Sequence, residues 1–318
     1  MIGSPLPRVE TFEAIAEELR FAEQPGAIWR TIWRRLRRRK SGIAGMIIIG
    51  FWVLIALFAP LIATHNPTRG MIGEPGVVRR APPCIHALGC SEELPQHILG
   101  LDGNARDEFS RILYGSRISL TIGLTTVTAA IVVGGTIGAI AGYWGRWIDN
   151  VLMRLMDVIL GFPALLLAIA IVAVLGSNLR NALLAIAVVT IPQYARVMRA
   201  SVLQIKELDF VAASRALGAT GWRILFTRII PNALTPLVVL GTLGIAGAIL
   251  EAAGLSFLGL GAQPPTPEWG TMLGEERNQV FSAPHLVFFP GLAIMLTVLG
   301  FNLLGDGLRD ALDPRLNE

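Results

Sequence analysis

Glu207-Leu-Asp-Phe-Val-Ala-Ala-Ser-Arg-Ala-Leu-Gly-Ala-Thr-Gly-Trp-Arg-Ile-Leu-Phe-Thr-Arg-Ile-Ile-Pro-Asn232 lies between two long apolar stretches and has a different character from either. It reads as a short amphipathic helix ending at Gly218, followed by a basic stretch that runs to Pro231 and re-enters the apolar phase. Phe210, Ala213 and Leu217 form one apolar stripe at helical spacing. Ala213 and Ser214 are small enough for close approach, and Gly218 suits the left-handed turn that ends a helix. A half-apolar helix held outside a bilayer points to a soluble partner that docks there.

The rest of the chain supplies the bilayer. Apolar residues make up 53% of the 318 and charged residues only 16%, with a mean hydropathy of +0.58; soluble domains carry about 25% charged residues. A spanning helix needs roughly 20 apolar residues. Six stretches qualify: Ile43–Thr64, Ile118–Trp144, Val151–Leu175, Ala182–Val197, Asn232–Leu258 and Leu286–Leu304. The fourth is short and contains Pro192 and Gln193. The expected organisation is a cytoplasmic lead-in (1–42), a first span (43–64), a long loop (65–117), a five-helix core (118–308) carrying the segment 198–231, and a cytoplasmic tail (309–318). The expected class is an all-α membrane protein with six transmembrane helices.

Arg30, Arg34, Arg35, Arg37, Arg38, Arg39 and Lys40 precede the first span. Basic residues beside a span stay on the cytoplasmic side, so the N-terminus is expected inside, and six spans return the C-terminus inside. The same run could also contact anionic lipid. Phe12, Ile15, Ala16 and Leu19 mark an acidic amphipathic helix ahead of it. The net charge of +4 needs no nucleic acid to explain it.

Cys84 and Cys90 are the only cysteines and share the 65–117 loop. A close pair on an oxidising face favours a disulfide; free thiols, or a metal site with His65, His86 and His97, are the alternatives. The spacing fits no standard zinc pattern, and no metal is expected. Gly134, Gly138 and Gly142 mark a face where two helices can approach closely in lipid, and Gly241, Gly244 and Gly247 repeat the theme. Charges in or beside spans need partners. Asp149, Arg154 and Asp157 flank the start of the third span, where Arg154 and Asp157, three apart, are expected to pair. Glu251 stands alone in the fifth span, protonated, hydrogen-bonded to another helix or lining a polar cavity.

Neither of the two lysines, Lys40 and Lys206, follows a glycine, so a G-x-x-x-x-G-K-[ST] phosphate loop is absent. G-x-S-x-G and H-E-x-x-H elements are absent too. No catalytic constellation is expected, and any energy drawn from nucleotide must come through a separate polypeptide.

Three stretches resemble one family, the dipeptide/oligopeptide "C"-type permease subunits of ABC importers. Leu99-Gly-Leu-Asp-Gly-Asn-Ala-Arg-Asp-Glu-Phe-Ser-Arg-Ile-Leu-Tyr-Gly-Ser-Arg-Ile-Ser-Leu120 is similar to that family's L-G-T-D-x-x-G-R-D-…-S-R-…-Y-G-…-R-x-S-L. The 207–232 segment resembles its EAA loop. Glu251-Ala-Ala-Gly-Leu-Ser-Phe-Leu-Gly-Leu-Gly-Ala-Gln-Pro-Pro-Thr-Pro-Glu-Trp-Gly270 resembles E-A-x-L-S-F-L-G-L-G-x-x-P-P-x-P-x-W-G. The chain departs from the pattern at Ala212, where the EAA acid stands, at Leu101 in place of Thr, and at Ala105 in place of Gly.

The resemblance implies a type-1 ABC importer permease fold in a bacterial or archaeal cytoplasmic membrane. It implies a heterodimer with a homologous permease, two ATPase subunits that carry ATP and Mg, and an extracytoplasmic substrate-binding protein; this chain itself would bind no cofactor. Phe210, Ala212, Ala213, Ser214, Leu217 and Gly218 would couple to the ATPase. Pro264, Pro265 and Pro267 would form a stiff turn facing the binding protein, with Trp269 as an interface anchor or an aromatic-belt residue. The implied cargo is a di- or oligopeptide; nickel chelates and glutathione are carried by the same architecture. A proton-coupled secondary transporter working through Glu251, or a non-transporting membrane anchor, are the readings from other classes.

Overall fold

A computed structural model describes residues 33–312, which are helical with no β-strand among the described residues. The acidic helix expected at Phe12–Leu19 and residues 313–318 of the tail lie outside the described residues. Among the described residues, nine helices of eight residues or more organise the fold: α1 Lys40–Ile62, α2 Glu108–Trp144, α3 Arg146–Leu160, α4 Ala164–Leu175, α5 Leu179–Ile205, α6 Asp209–Ala216, α7 Gly221–Phe257, α8 Trp269–Glu276 and α9 His285–Leu312. Five are long and apolar enough to cross a membrane, or six if α3 and α4 count as one span.

The third apolar stretch is not one helix. Its two halves meet at 89° across Gly161-Phe162-Pro163. Pro163 lacks an N–H and drives Phe162 out of the helical region, so α3 must end there, and the 12 residues of α4 reach only about 18 Å. The fourth stretch, which looked too short, runs from Leu179 to Ile205. Asn178 caps it by accepting from the Asn181 N–H. Hydropathy falls at Arg196 and Arg199, but the helix continues because both arginines find carboxylates, Asp157 and Asp149.

The bundle is built on the α2–α5 seam. Gly134, Gly138 and Gly142 lie on the Ile191, Ala195 and Arg199 carbonyls of α5: a Cβ at Gly134 would fall 2.5 Å from the Ile191 oxygen, and one at Gly138 would overlap the Ala195 carbonyl. Only glycine lets two backbones close to this distance in lipid, where packing replaces the hydrophobic drive. The second glycine series is less uniform. Gly241 faces Ile131 and Gly244 faces the Tyr194 hydroxyl, but Gly247 faces open space. Gly45 of α1 lies on the Gly300–Leu304 backbone of α9, which fastens the first span to the last.

With 37 residues, α2 is about 55 Å long, well beyond a bilayer's apolar layer of about 30 Å. Its first turns enter a cap formed by residues 63–107 and 258–284. The cap loop has irregular backbone, stapled by a Cys84–Cys90 disulfide. An isolated bridge joins Cys84 to His97, with N–H to O distances of 2.9 and 3.0 Å.

Candidate functional site

At the end of the bundle opposite the cap, α6 carries Asp209 in its first turn, where a negative charge suits the helix dipole. It terminates as its composition demands: Gly218 adopts φ +79°, and the Ala219 N–H reaches back to the Ser214 carbonyl at 3.1 Å, a glycine-ended closure of the last turn. Ser214 donates its hydroxyl to the Phe210 carbonyl at 2.8 Å.

Val211 is the one buried side chain of α6. It enters a cluster with Ala139 of α2, Met198 and Val202 of α5, and Ile224, Leu225, Ile229 and Ala233 of α7. Val211 thus ties α6 by packing to three spans. The Phe210–Ala213–Leu217 stripe faces the other way. Leu217 is 88% exposed and Phe210 40% exposed, and Ala212, at the position of the family's acid, is exposed too. Further exposed apolar groups, Leu208, Trp222 and Phe226, surround the helix.

Three contacts fix this element to the bundle. Lys206 donates to the Gly142 carbonyl at the end of α2 at 3.1 Å. Arg215 lies 5.9 Å from the Tyr143 ring centroid. Trp144 packs on Trp222 at 4.4 Å, and Trp222 stacks on Phe226 at 5.8 Å. Residues Leu225–Ile229 form a π-helical turn, a local widening that recurs at functional positions. Between α6 and this turn opens a cleft of about 550 Å³ that includes Leu217, Gly218, Arg223 and Arg228. Its lining mixes apolar side chains with hydroxyls and the two arginines.

The charges of the third span are paired differently from the expectation. Asp157 bonds Arg196 of α5 at 2.6 Å rather than Arg154, and Asp149 takes Arg199 in a two-pronged pair at 2.5 and 2.6 Å. A planar guanidinium approaching from a facing helix meets a carboxylate squarely; a neighbour three residues along the same helix does not. Glu251 is half-buried in the cap-ward part of α7.

The cap is a charge cluster that sequence reasoning missed. Arg111, wholly buried, lies 3.5 Å from Asp102 and 3.3 Å from Glu275 and donates to the Pro67 and Pro265 carbonyls at 3.2 Å each. Arg106 bonds Asp102 at 2.5 Å and Glu275 at 2.7 Å, and Arg80 bonds Glu276 at 2.8 Å. The two extramembrane motifs of the sequence thus interlock. The signal was present in their arginines and acids, but pairing across more than 150 residues is not a local pattern.

Trp269 is neither an interface anchor nor a belt residue. It is fully buried, donates its indole N–H to the Ile112 carbonyl at 3.1 Å, and packs on Trp52 at 4.9 Å. Asp107 caps α2. Burial pushes its carboxyl up, but hydrogen bonds with His97 and Ser110, with His65 nearby, hold it below the usual aspartate value. Ala105, where the motif has glycine, sits at φ +54°, a conformation that explains the glycine.

Residues 134–318 match the model of the binding-protein-dependent transport system inner membrane component. Residues 28–83 match the N-terminal transmembrane domain of oligopeptide transport permease C. The dipeptide transport system permease protein DppC of Alkalihalophilus pseudofirmus is 49% identical over 288 residues, covering 91% of this chain and 90% of that protein. The glutathione transport system permease protein GsiD of Pectobacterium atrosepticum is 43% identical, covering 91% of each. DppC of Haemophilus influenzae is 44% identical, covering 90% and 94%. A chain of the inward-facing MetNI methionine ABC transporter superposes with a TM-score of 0.51 at 19% identity, over 64% of this chain and 98% of that one. The chain belongs to the binding-protein-dependent inner-membrane permease family and is a multi-pass permease subunit of an ABC importer, a transport component rather than an enzyme.

Proposed function

We propose that this permease forms half of a translocation pathway for di- or oligopeptides and that α6 is the element through which a separate ATPase drives it. The observation that carries this reading is the division of α6 into two faces. Val211 is sunk in a cluster shared by α2, α5 and α7, while Phe210 and Leu217 are left outward. An apolar surface kept in water by a well-ordered element marks a partner site. The basic groups of the neighbouring cleft, Arg223 and Arg228, suit an acidic rim on that partner.

In this reading a second, homologous permease completes the pathway, and two ATPase subunits holding ATP and Mg close beneath it. A substrate-binding protein delivers cargo at the cap. Closure of the ATPase pair moves α6 as a rigid lever, and the Val211 cluster passes the motion to three spans, a rigid-body transition. The basic run Arg34–Lys40 supports a cytoplasmic position for α6.

Leu217→Asp tests the docking. The side chain is exposed, so the permease should fold and insert normally yet lose the ATPase on purification, or lose substrate-stimulated hydrolysis. Gly218→Pro should do the same, because φ +79° is closed to proline. Normal coupled uptake in both variants refutes the assignment.

Peptide and glutathione cargo share a peptide backbone, and relatives of both names cover the chain almost equally. Competition between unlabelled dipeptides and glutathione for uptake in reconstituted vesicles separates them. Uptake that follows the proton gradient rather than ATP would instead favour a role for Glu251 in proton coupling.

A further inference from the structure

Transport leaves one cluster in the cap unexplained. Asp107 uses Oδ2 to cap α2, accepting the Ser110 N–H at 2.9 Å, the Ser110 hydroxyl at 2.7 Å and the Thr64 hydroxyl at 3.3 Å. Its Oδ1 lies 3.1 Å from His97 Nδ1 and 3.7 Å from His65 Nδ1. One donor atom from each of the three residues falls within 4.8 Å of the others, and the two imidazole rings lie 5.0 Å apart. His97 and Asp107 are buried, whereas the His65 side chain is 34% exposed.

We propose that His65, His97 and Asp107 form a binding site for a divalent transition-metal ion of the zinc class, with its fourth coordination position open to solvent beside His65.

The donor set carries the chemistry. Two imidazoles and a carboxylate are a common three-ligand set for zinc sites that keep one position open, and the same nitrogens suit cobalt, nickel and copper. Spacing agrees. Ligand atoms about 2.0–2.1 Å from a tetrahedral zinc stand about 3.3 Å from one another, and the two imidazole–carboxylate distances straddle that value. Closing the wider gap requires movement of His65 alone. That side chain is half-exposed and held by one bond that the ion would replace, between its Nδ1 and the Thr64 hydroxyl at 2.9 Å.

The fixed members are already oriented. The oxygen of Asp107 that would not ligate is held by Ser110 and Thr64, the kind of outer bond that positions a metal-binding carboxylate. His97 is pinned by the backbone bridge to Cys84, and its Nε2 has no hydrogen-bond partner, so the polar work of this imidazole falls on Nδ1. The disulfide removes both thiols as rival ligands.

A bound ion would join three elements of the cap: the exit of α1, the segment after the disulfide and the N-cap of α2. It would stiffen the cap whatever the cargo. The inference does not depend on α6 or on the peptide assignment.

The test uses the full-length chain, freed of any affinity tag and stripped with a chelator, titrated with Co²⁺ and then Zn²⁺. Expected are one equivalent of cobalt with the visible spectrum of a tetrahedral site, its displacement by zinc, and a thermal midpoint raised by zinc. His97→Ala and Asp107→Asn, which keeps an oxygen for the helix cap, should lose the tight equivalent. His65→Ala removes a direct ligand, so it should weaken binding by more than the roughly 100-fold that loss of an outer partner can cost, and the tetrahedral cobalt spectrum should be lost. His86→Ala should leave it intact, since that ring bonds the Leu94 carbonyl in the same loop. Absence of the cobalt spectrum overturns the proposal, as does a spectrum that survives both His65→Ala and Asp107→Asn. His65 is half-exposed and fastened only locally, so its variant decides the matter if Asp107→Asn fails to fold.

Discussion

In the cap, Arg111 is wholly buried among Asp102, Glu275 and two proline carbonyls; at the other end, Leu217 stands 88% exposed on a helix with one buried side chain. The two regions flank the same spans and are built on opposite principles. The cap closes a set of charges whose partners come from distant segments, so each member depends on all the others. The opposite end leaves Phe210 and Leu217 outward, and Val211 is the one buried side chain of α6. One region is closed by its own contacts, and the other leaves apolar surface bare.

The contrast can be broken most severely at Arg111. Arg111→Met removes one of the two guanidiniums that Asp102 and Glu275 share, leaving Arg106 on both, and strips the Pro67 and Pro265 carbonyls of their donor. It is expected to cost about 3 kcal/mol, read as a fall in the thermal midpoint of the purified protein. Amide exchange in α6 should not change. If α6 loosens as much as the cap, the two ends are one cooperative unit and the distinction fails.

Replacing Cys84 and Cys90 together by serine opens a short loop and should remove about 2 kcal/mol from the cap, measured by the same unfolding experiment with and without reductant. Val211→Ala acts at the opposite end. It should cost about 1–2 kcal/mol through lost burial and a small cavity. Faster exchange confined to α6, weaker ATPase coupling and an intact cap are the expected signature. Ala105→Gly should have the smallest effect. Relief of the left-handed alanine, roughly 1 kcal/mol, is largely offset by loss of a buried methyl, about 0.8 kcal/mol, leaving a slight gain or none in midpoint.

Much of the architecture was legible before any coordinates. The apolar runs gave the spans, because a segment of about 20 apolar residues has few alternatives to crossing a bilayer. Gly134, Gly138 and Gly142 announced a close helix contact, since backbone contact admits no larger residue, and the structure supplies α5 as the partner. Gly218 announced the end of α6, which adopts φ +79°. The Cys84–Cys90 pair could be named because only two cysteines exist and they share a loop. Each of these readings rests on a property of a residue or of its near neighbours along the chain.

The readings that changed concern groups with a choice of partner. Asp157 had Arg154 three residues away and took Arg196 instead. Trp269 looked like an anchor for another protein and turned inward to the Ile112 carbonyl. The third span broke at Pro163, which ends α3 by lacking an N–H and driving Phe162 out of the helical region, and the second half, α4, packs on α5. Sequence alone determined where the chain must be apolar, where two backbones can touch and where a helix must stop, because those are steric and solvation limits that hold in any fold. Only the tertiary structure decided which charge meets which, which face of α6 is left bare and which histidines gather on Asp107. Such pairings depend on distances across the bundle, and no local rule contains them.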